Sequence, residues 1–218
     1  TPNYIDVIAF AKSIEYINSI GLDDIFLYEK SLLDYASNKM KEFKEVVLTG
    51  NDLTLEEMVA VARKGCKVSL SEEAKKNVLK SRKIIDDIVE NEKVVYGVTT
   101  GFGEFCNVSI SKEDCSQLQE NLIRSHSCGY GPRFSTDTVR AIMLTRANAL
   151  SKGYSGIKIE TINTLIEMLN KGVHPCIPEK GSLGASGDLA PLAHMVLPML
   201  GLGEAEYKGQ IMSGKEAM

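Results

Sequence analysis

Apolar residues recur at three- and four-residue spacing between Asp6 and Ile20, which predicts an amphipathic helix ended by Gly21. Asp23 or Asp24 then caps a second helix running to about Phe43, with Ile25, Leu32 and Tyr35 on one side. The first 43 residues therefore read as a helical hairpin. The alternation in "EVVLTG" (45–50) predicts a strand. Thr54 with Glu57 forms a capping box for the helix that Gly65 terminates. Ser71 caps a helix reaching about Asn91, and further helical periodicity covers about 112–125, 136–151, 158–171 and 189–200.

Between these helices lie glycine-rich segments. "VVYGVTTGFGEF" (94–105) has a short β-prone start and a loop, and "CGYGPRF" reads as a turn. "GVHPCIPEKGSLGASGD" reads as one long loop, "AEYKGQ" as a hairpin, and "SGKEAM" as the start of a helix. The expected fold is mainly α with small β elements.

Composition narrows the function classes. The net charge of −4 and the lack of a basic, aromatic-laced patch argue against a nucleic-acid partner. Five cysteines without Cys-x-x-Cys spacing argue against a disulfide framework or a zinc site and for a reducing cytoplasm. His126, His174 and His194 lack metal-ligand spacing, so no metal is expected. Asp6, Lys12 and Glu15 interrupt any secretory leader, and the apolar run from Leu189 is too short for the ~20 residues of a membrane helix.

The chemistry concentrates in "GSLGASGDLAPLAHM" (181–195). A glycine-rich loop ahead of a helix is most often a tight entry turn. A phosphate loop would need the Lys-Ser/Thr that is missing here, and no Gly-x-Gly-x-x-Gly occurs. A third reading uses every residue. The Gly187 amide nitrogen attacks the Ala185 carbonyl, and loss of water, including the Ser186 hydroxyl, leaves a five-membered ring with an exposed methylene. Glycine permits the required close backbone approach. The product is an electrophile that no ordinary side chain supplies.

"GSLGASGDLAPLAH" resembles the signature of the aromatic amino acid ammonia-lyases, whose methylidene-imidazolone group (MIO) forms in this way. "YGVTTGFG" (96–103), "LQENLIRSHSCGYG" (118–131) and "RANALSKGYSG" (146–156) match the family upstream in the expected order. The resemblance covers about residues 45–218. It implies the N-terminal domain of the aromatic amino acid lyase fold, a self-formed MIO from Ala185, Ser186 and Gly187, and no external cofactor. It also implies a homotetramer and elimination of ammonia from an aromatic amino acid.

By the same resemblance Tyr96 is the base, and Ser125, His126 and Leu189 face the substrate. On their own, Tyr96 reads as a packing residue at a strand end and His126 as a satisfied histidine at a helix end. Leu189 reads equally as core. His174 and His194 keep the reading of satisfied core histidines, and Asp188 can cap the last helix. The polar pair at 125 and 126 favours L-histidine, giving urocanate, over L-phenylalanine or L-tyrosine; a lyase or aminomutase for those amino acids is the alternative. Family chains are longer, with a central helical bundle beyond the position of Met218, so an N-terminal portion is expected; an inactive fragment or structural module is a further alternative. Residues 1–43 resemble a helical segment of the PLP-dependent cysteine desulfurases, and the two resemblances together imply a fusion of two parts, 1–44 and 45–218. Residues 1–43 lack a PLP-lysine motif, so PLP itself is not expected.

Overall fold

The computed structural model describes residues 4–39, 43–101, 110, 111, 114–184 and 187–218. In the first two helices side chains are described for 12–35, and in the helix entered at Cys115 for 117–126. The chain forms two compact units, Thr1–Glu42 and Phe43–Met218.

The first unit contains α1 (Tyr4–Ile20) and α2 (Leu22–Lys39). Gly21 ends α1 at φ +93°, donating its amide to Ile17 O at 3.1 Å. Asp23 and Asp24 fall inside the first turn of α2 rather than ahead of it, where their charge still favours the helix N-terminus. α2 is described as far as Lys39, and Phe43, its expected end, is not helical. None of this unit's described side chains is buried.

The second unit opens with β1 (Glu45–Leu48), α3 (Leu55–Lys64) and β2 (Lys67–Leu70), where β1 and β2 pair in parallel. Val46, Leu48, Val68 and Leu70 all point into the core, so alternation along each short strand sets the buried face. The Thr54–Glu57 capping box and the Gly65 cap occur as the sequence predicts. β2 itself is not apparent from its sequence. Its ladder is completed by Asn170, whose side-chain amide accepts from Val68 N at 2.9 Å and donates to Val68 O at 2.8 Å.

α4 (Glu72–Glu90) starts at the Ser71 cap, and α5 (Cys115–His126), α6 (Thr136–Ser151) and α7 (Ile159–Lys171) follow. The segment read as one long loop contains two strands. β4 (Val173–Pro175) pairs with β6 (Glu204–Tyr207), and β5 (Pro178–Lys180) pairs with β3 (Tyr130–Arg133), which the sequence reads as a turn. β6 and β7 (Gln210–Ser213) make the expected hairpin, with Lys208 and Gly209 both at positive φ. α8 (Leu189–Val196) gives way to a 3₁₀ turn at Leu197–Leu200 around Pro198, and α9 (Gly214–Ala217) closes the described chain. The β-prone start at 94–96 is not a strand. Thr99 Oγ1 takes the Val95 amide at 2.9 Å and Thr100 Oγ1 the Gly97 amide at 3.3 Å, which turns the backbone instead.

The core lies where α3, α6 and α7 meet, around Val61, Met143, Leu144, Ile162 and Leu169. Arg140 is buried inside it, 8% exposed. Its Nε and Nη2 donate to Val61 O at 3.0 and 2.8 Å, and its Nη1 donates to Leu169 O at 2.9 Å and to His174 Nε2 at 3.0 Å. Val61 and Leu169 lie in the last turns of α3 and α7, whose carbonyls have no partner within their helices. One guanidinium thus satisfies two helix C-termini, where the helix dipoles favour a cation. Burial pushes the Arg140 guanidinium below its ordinary value, and no described carboxylate forms an ion pair with it.

His174 accepts through Nε2 and so carries its proton on Nδ1, which is buried without a partner. Burial, and then the Arg140 charge, hold it below the ordinary 6.5, while Glu206 across the β4–β6 ladder opposes them.

Two predictions follow from this centre. Arg140→Met leaves buried carbonyls without donors at ~1–3 kcal/mol each, so it should cost about 3 kcal/mol, read as a lowered urea midpoint. His174 binds its proton less readily folded than unfolded, so stability is complete above 6.5 and falls as pH drops below it. Burial gives His194 the same sign. The melting temperature should fall from about pH 7.5 to about pH 5.5, and less steeply in His174→Gln.

Candidate active site

The site is built from the end of α5, the loop 181–188 and the start of α8. α5 ends in Ser125 and His126. Ser125 Oγ donates to Leu122 O at 2.9 Å, and His126 Nδ1 lies 2.8 Å from the same carbonyl and 3.0 Å from Ser125 Oγ. A carbonyl only accepts, so Nδ1 carries a proton and donates to it, which leaves Nε2 as the ring nitrogen not engaged by the helix. The half-buried His126 is therefore oriented by its own helix.

The chain then turns at Cys128 and Gly129 into β3, which pairs with β5 at Tyr130–Lys180 and Arg133–Pro178. This pairing brings the end of α5 to the root of the loop. Gly181 has φ +123°, and a Cβ built there would stand 2.9 Å from Gly129 Cα. The Gly129 amide donates to His194 Nε2 on α8 at 3.0 Å.

Ala185 and Ser186 lie outside the described residues, so the ring atoms expected there have no described geometry. Their flanks are described. Gly184 and Gly187 have φ of +77° and +93°, and the Gly187 amide donates to Gly184 O at 3.1 Å. Ser182 Oγ donates to Asp188 Oδ1 across the loop. Asp188 therefore does not cap α8 with its side chain, as the sequence suggested; it is engaged with Ser182 instead. A Cβ at Gly187 would meet nothing within 4 Å, so the backbone there is open. Flexible, uncrowded glycine at the position whose nitrogen must approach a carbonyl fits the self-cyclised group.

Leu189, the first residue of α8, is 44% exposed, which removes the core reading and leaves it on the surface beside the loop. Tyr96 is 62% exposed, on the turn fixed by Thr99 and Thr100, which are themselves buried. Thr99 Oγ1 also donates to Lys93 O, so three backbone groups around Tyr96 are tied to two threonine hydroxyls. The sequence signal for this turn is the Thr-Thr pair that follows Tyr-Gly-Val.

His194 is partnered through Nε2 as expected, whereas His174 is partnered through Nε2 but not satisfied, because its buried Nδ1 has no partner. Beside Ser182 and Asp188, an open groove of about 420 Å³ is lined by Phe134, Ile142, Arg146, Pro191 and Leu192. Among the described residues no cluster of His, Cys, Asp or Glu could hold a metal ion, and no helix is long and apolar enough to cross a membrane.

A sequence model of the aromatic amino acid lyase family matches residues 53–218. The chain belongs to that family. A model of class-V aminotransferases also matches residues 1–85. The chain is 87% identical over 179 residues to histidine ammonia-lyase of Clostridium tetani, covering 82% of this chain and 35% of that protein. Among solved structures, ergothionase, an ergothioneine-degrading enzyme of Treponema denticola, superimposes with a TM-score of 0.77 at 34% identity, over 80% of this chain and 35% of that one. Histidine ammonia-lyase of Trypanosoma cruzi gives 0.73 at 35% identity, over 79% and 33%. The chain thus spans about a third of the length of the relatives it matches.

Proposed function

We propose that this chain is the electrophile-bearing N-terminal part of a histidine ammonia-lyase, which eliminates ammonia from L-histidine to give urocanate. The observation that carries the reading is the junction of α5 and the 181–188 loop. The β3–β5 pairing and the close approach of Gly181 to Gly129 join the turn that follows His126 to the first residue of the loop that carries Ala-Ser-Gly, and this supports the reading. The high identity to the Clostridium tetani lyase supports histidine as the substrate.

Ring formation joins the Gly187 nitrogen to the Ala185 carbonyl carbon. One water leaves with the carbonyl oxygen and the Ser186 and Gly187 amide hydrogens. A second leaves with the Ser186 hydroxyl and its Cα hydrogen. The group so formed supplies an electrophile that makes the substrate easier to deprotonate and the amine easier to expel. Tyr96 takes the β-proton as the carbon–nitrogen bond breaks and ammonia departs. A free tyrosine titrates at ~10, so this role needs nearby groups that favour its ionised form. His126 Nε2 accepts from the substrate imidazole N–H, with Ser125 steadying its ring, and Leu189 borders the site.

We further propose a cytoplasmic homotetramer in the complete enzyme, with no PLP and with the first 44 residues as a fused helical segment outside the lyase chemistry. The apolar groove beside Asp188 suits cover by further helices of such an assembly.

Two experiments test this reading. Ser186→Ala should abolish reactivity toward added nucleophiles without unfolding the second unit. Equal reactivity in wild type and variant would remove the electrophile from this chain. Substrate choice should follow His126. A buried polar group left unpaired against a phenyl ring costs ~1–3 kcal/mol, or roughly 5- to 150-fold in selectivity. In an enzyme carrying this segment at the full length of its relatives, Ser125→Phe with His126→Leu should lower the kcat/KM ratio of L-histidine to L-phenylalanine by that factor. An unchanged ratio would withdraw the histidine assignment and leave the lyase assignment standing.

A further inference from the structure

His194 stands at the joint between the two halves of the site. It lies on the second turn of α8, and its Nε2 accepts the Gly129 amide at 3.0 Å. The fit around this bond leaves no spare room. A Cβ at Gly129 would lie 2.9 Å from His194 Nε2 and 3.1 Å from Pro178 Cβ, and one at Gly181 would lie 2.9 Å from Gly129 Cα. Gly181 is the first residue of the loop, and Asp188 at its far end leads directly into α8. Both ends of the loop are therefore referred to one helix, the far end by the chain itself and the near end through Gly181, Gly129 and His194. Ser182 bonded to Asp188 closes the span.

We infer that His194 is a positioning residue, which fixes the root of the 182–188 loop on α8 and thereby sets up ring closure at Ala185, Ser186 and Gly187. The inference rests on the self-cyclisation reading above. Ring closure must exchange the present Gly187 N–H···O bond to Gly184 for the approach to Ala185, and holding the ends of the span narrows the conformations the loop must search to make it. Displacing reacting groups by about 1 Å is enough to cost up to about 100-fold in rate. The anchor requires a bare acceptor at Nε2. Burial favours the neutral ring, with Nδ1 protonated and Nε2 free to accept.

The test compares the chain with His194→Leu, which removes the acceptor, and His194→Gln, which keeps one on a side chain of similar reach. Three quantities are read on each: hydrogen exchange at the Gly129 amide, the rate at which near-ultraviolet absorbance develops after folding, and cooperative melting. His194→Leu should speed Gly129 exchange and slow the absorbance about 10-fold or more while melting stays cooperative, and His194→Gln should restore both. Faster Gly129 exchange with an unchanged rate of absorbance would overturn the inference, because His194 would then serve packing alone. A Gln variant as slow as the Leu variant would overturn it too. If wild type develops no absorbance, self-cyclisation fails and the inference falls with it; Gly129 exchange separates that result from a failed anchor.

Discussion

The structure of the second unit turns on one buried cation. Arg140 enters the core from α6 and spends its donors on the last turns of α3 and α7 and on His174 at β4. A buried charge is costly unless hydrogen-bonded, and two of these acceptors, the Val61 and Leu169 carbonyls, are themselves orphans of helix ends. Each side of the contact therefore needs the other. It also fixes geometry, since α3 carries the β1–β2 pair at its ends and β4 leads into the segment that becomes the loop. Without it, the helices could still bury apolar surface, but their relative heights would be less defined.

From that centre the site is reached by backbone connections rather than by side-chain packing. β4 joins β6, β5 joins β3, and β3 leads back to α5. Each of these strands is three or four residues long, enough to transmit register and little else. The consequence is a site whose parts come from distant stretches of sequence yet are held by short, direct bonds. The surface around it is left exposed and partly apolar, with Leu183 and Leu189 outward beside the groove under Phe134 and Leu192.

Local chemistry was legible in the sequence, and long-range pairing was not. The Thr54–Glu57 box, the Ser71 cap and the Lys208–Gly209 hairpin depend on residues within a few positions of one another. The Ala-Ser-Gly triad proposed to cyclise is contiguous, and so stands out in the sequence for the same reason. β3 and β5 were not: Tyr-Gly-Pro-Arg and Pro-Glu-Lys contain proline or glycine, lack alternation, and become strands only because they meet. Asp188 was misjudged because a carboxylate before a helix reads as a cap, and only the folded loop reveals Ser182 opposite it. Arg140 resembled any arginine on a helix face. Its burial depends on two helix ends, with acceptors 79 and 29 residues away.

The central claim is that Ala185, Ser186 and Gly187 close on themselves. The most direct measurement is the mass of the proteolytic peptide spanning residues 181–195, taken from the folded chain. The account predicts a peptide lighter by two water molecules than its sequence requires, with the loss mapping to 185–187. A peptide of full sequence mass from correctly folded protein would contradict it.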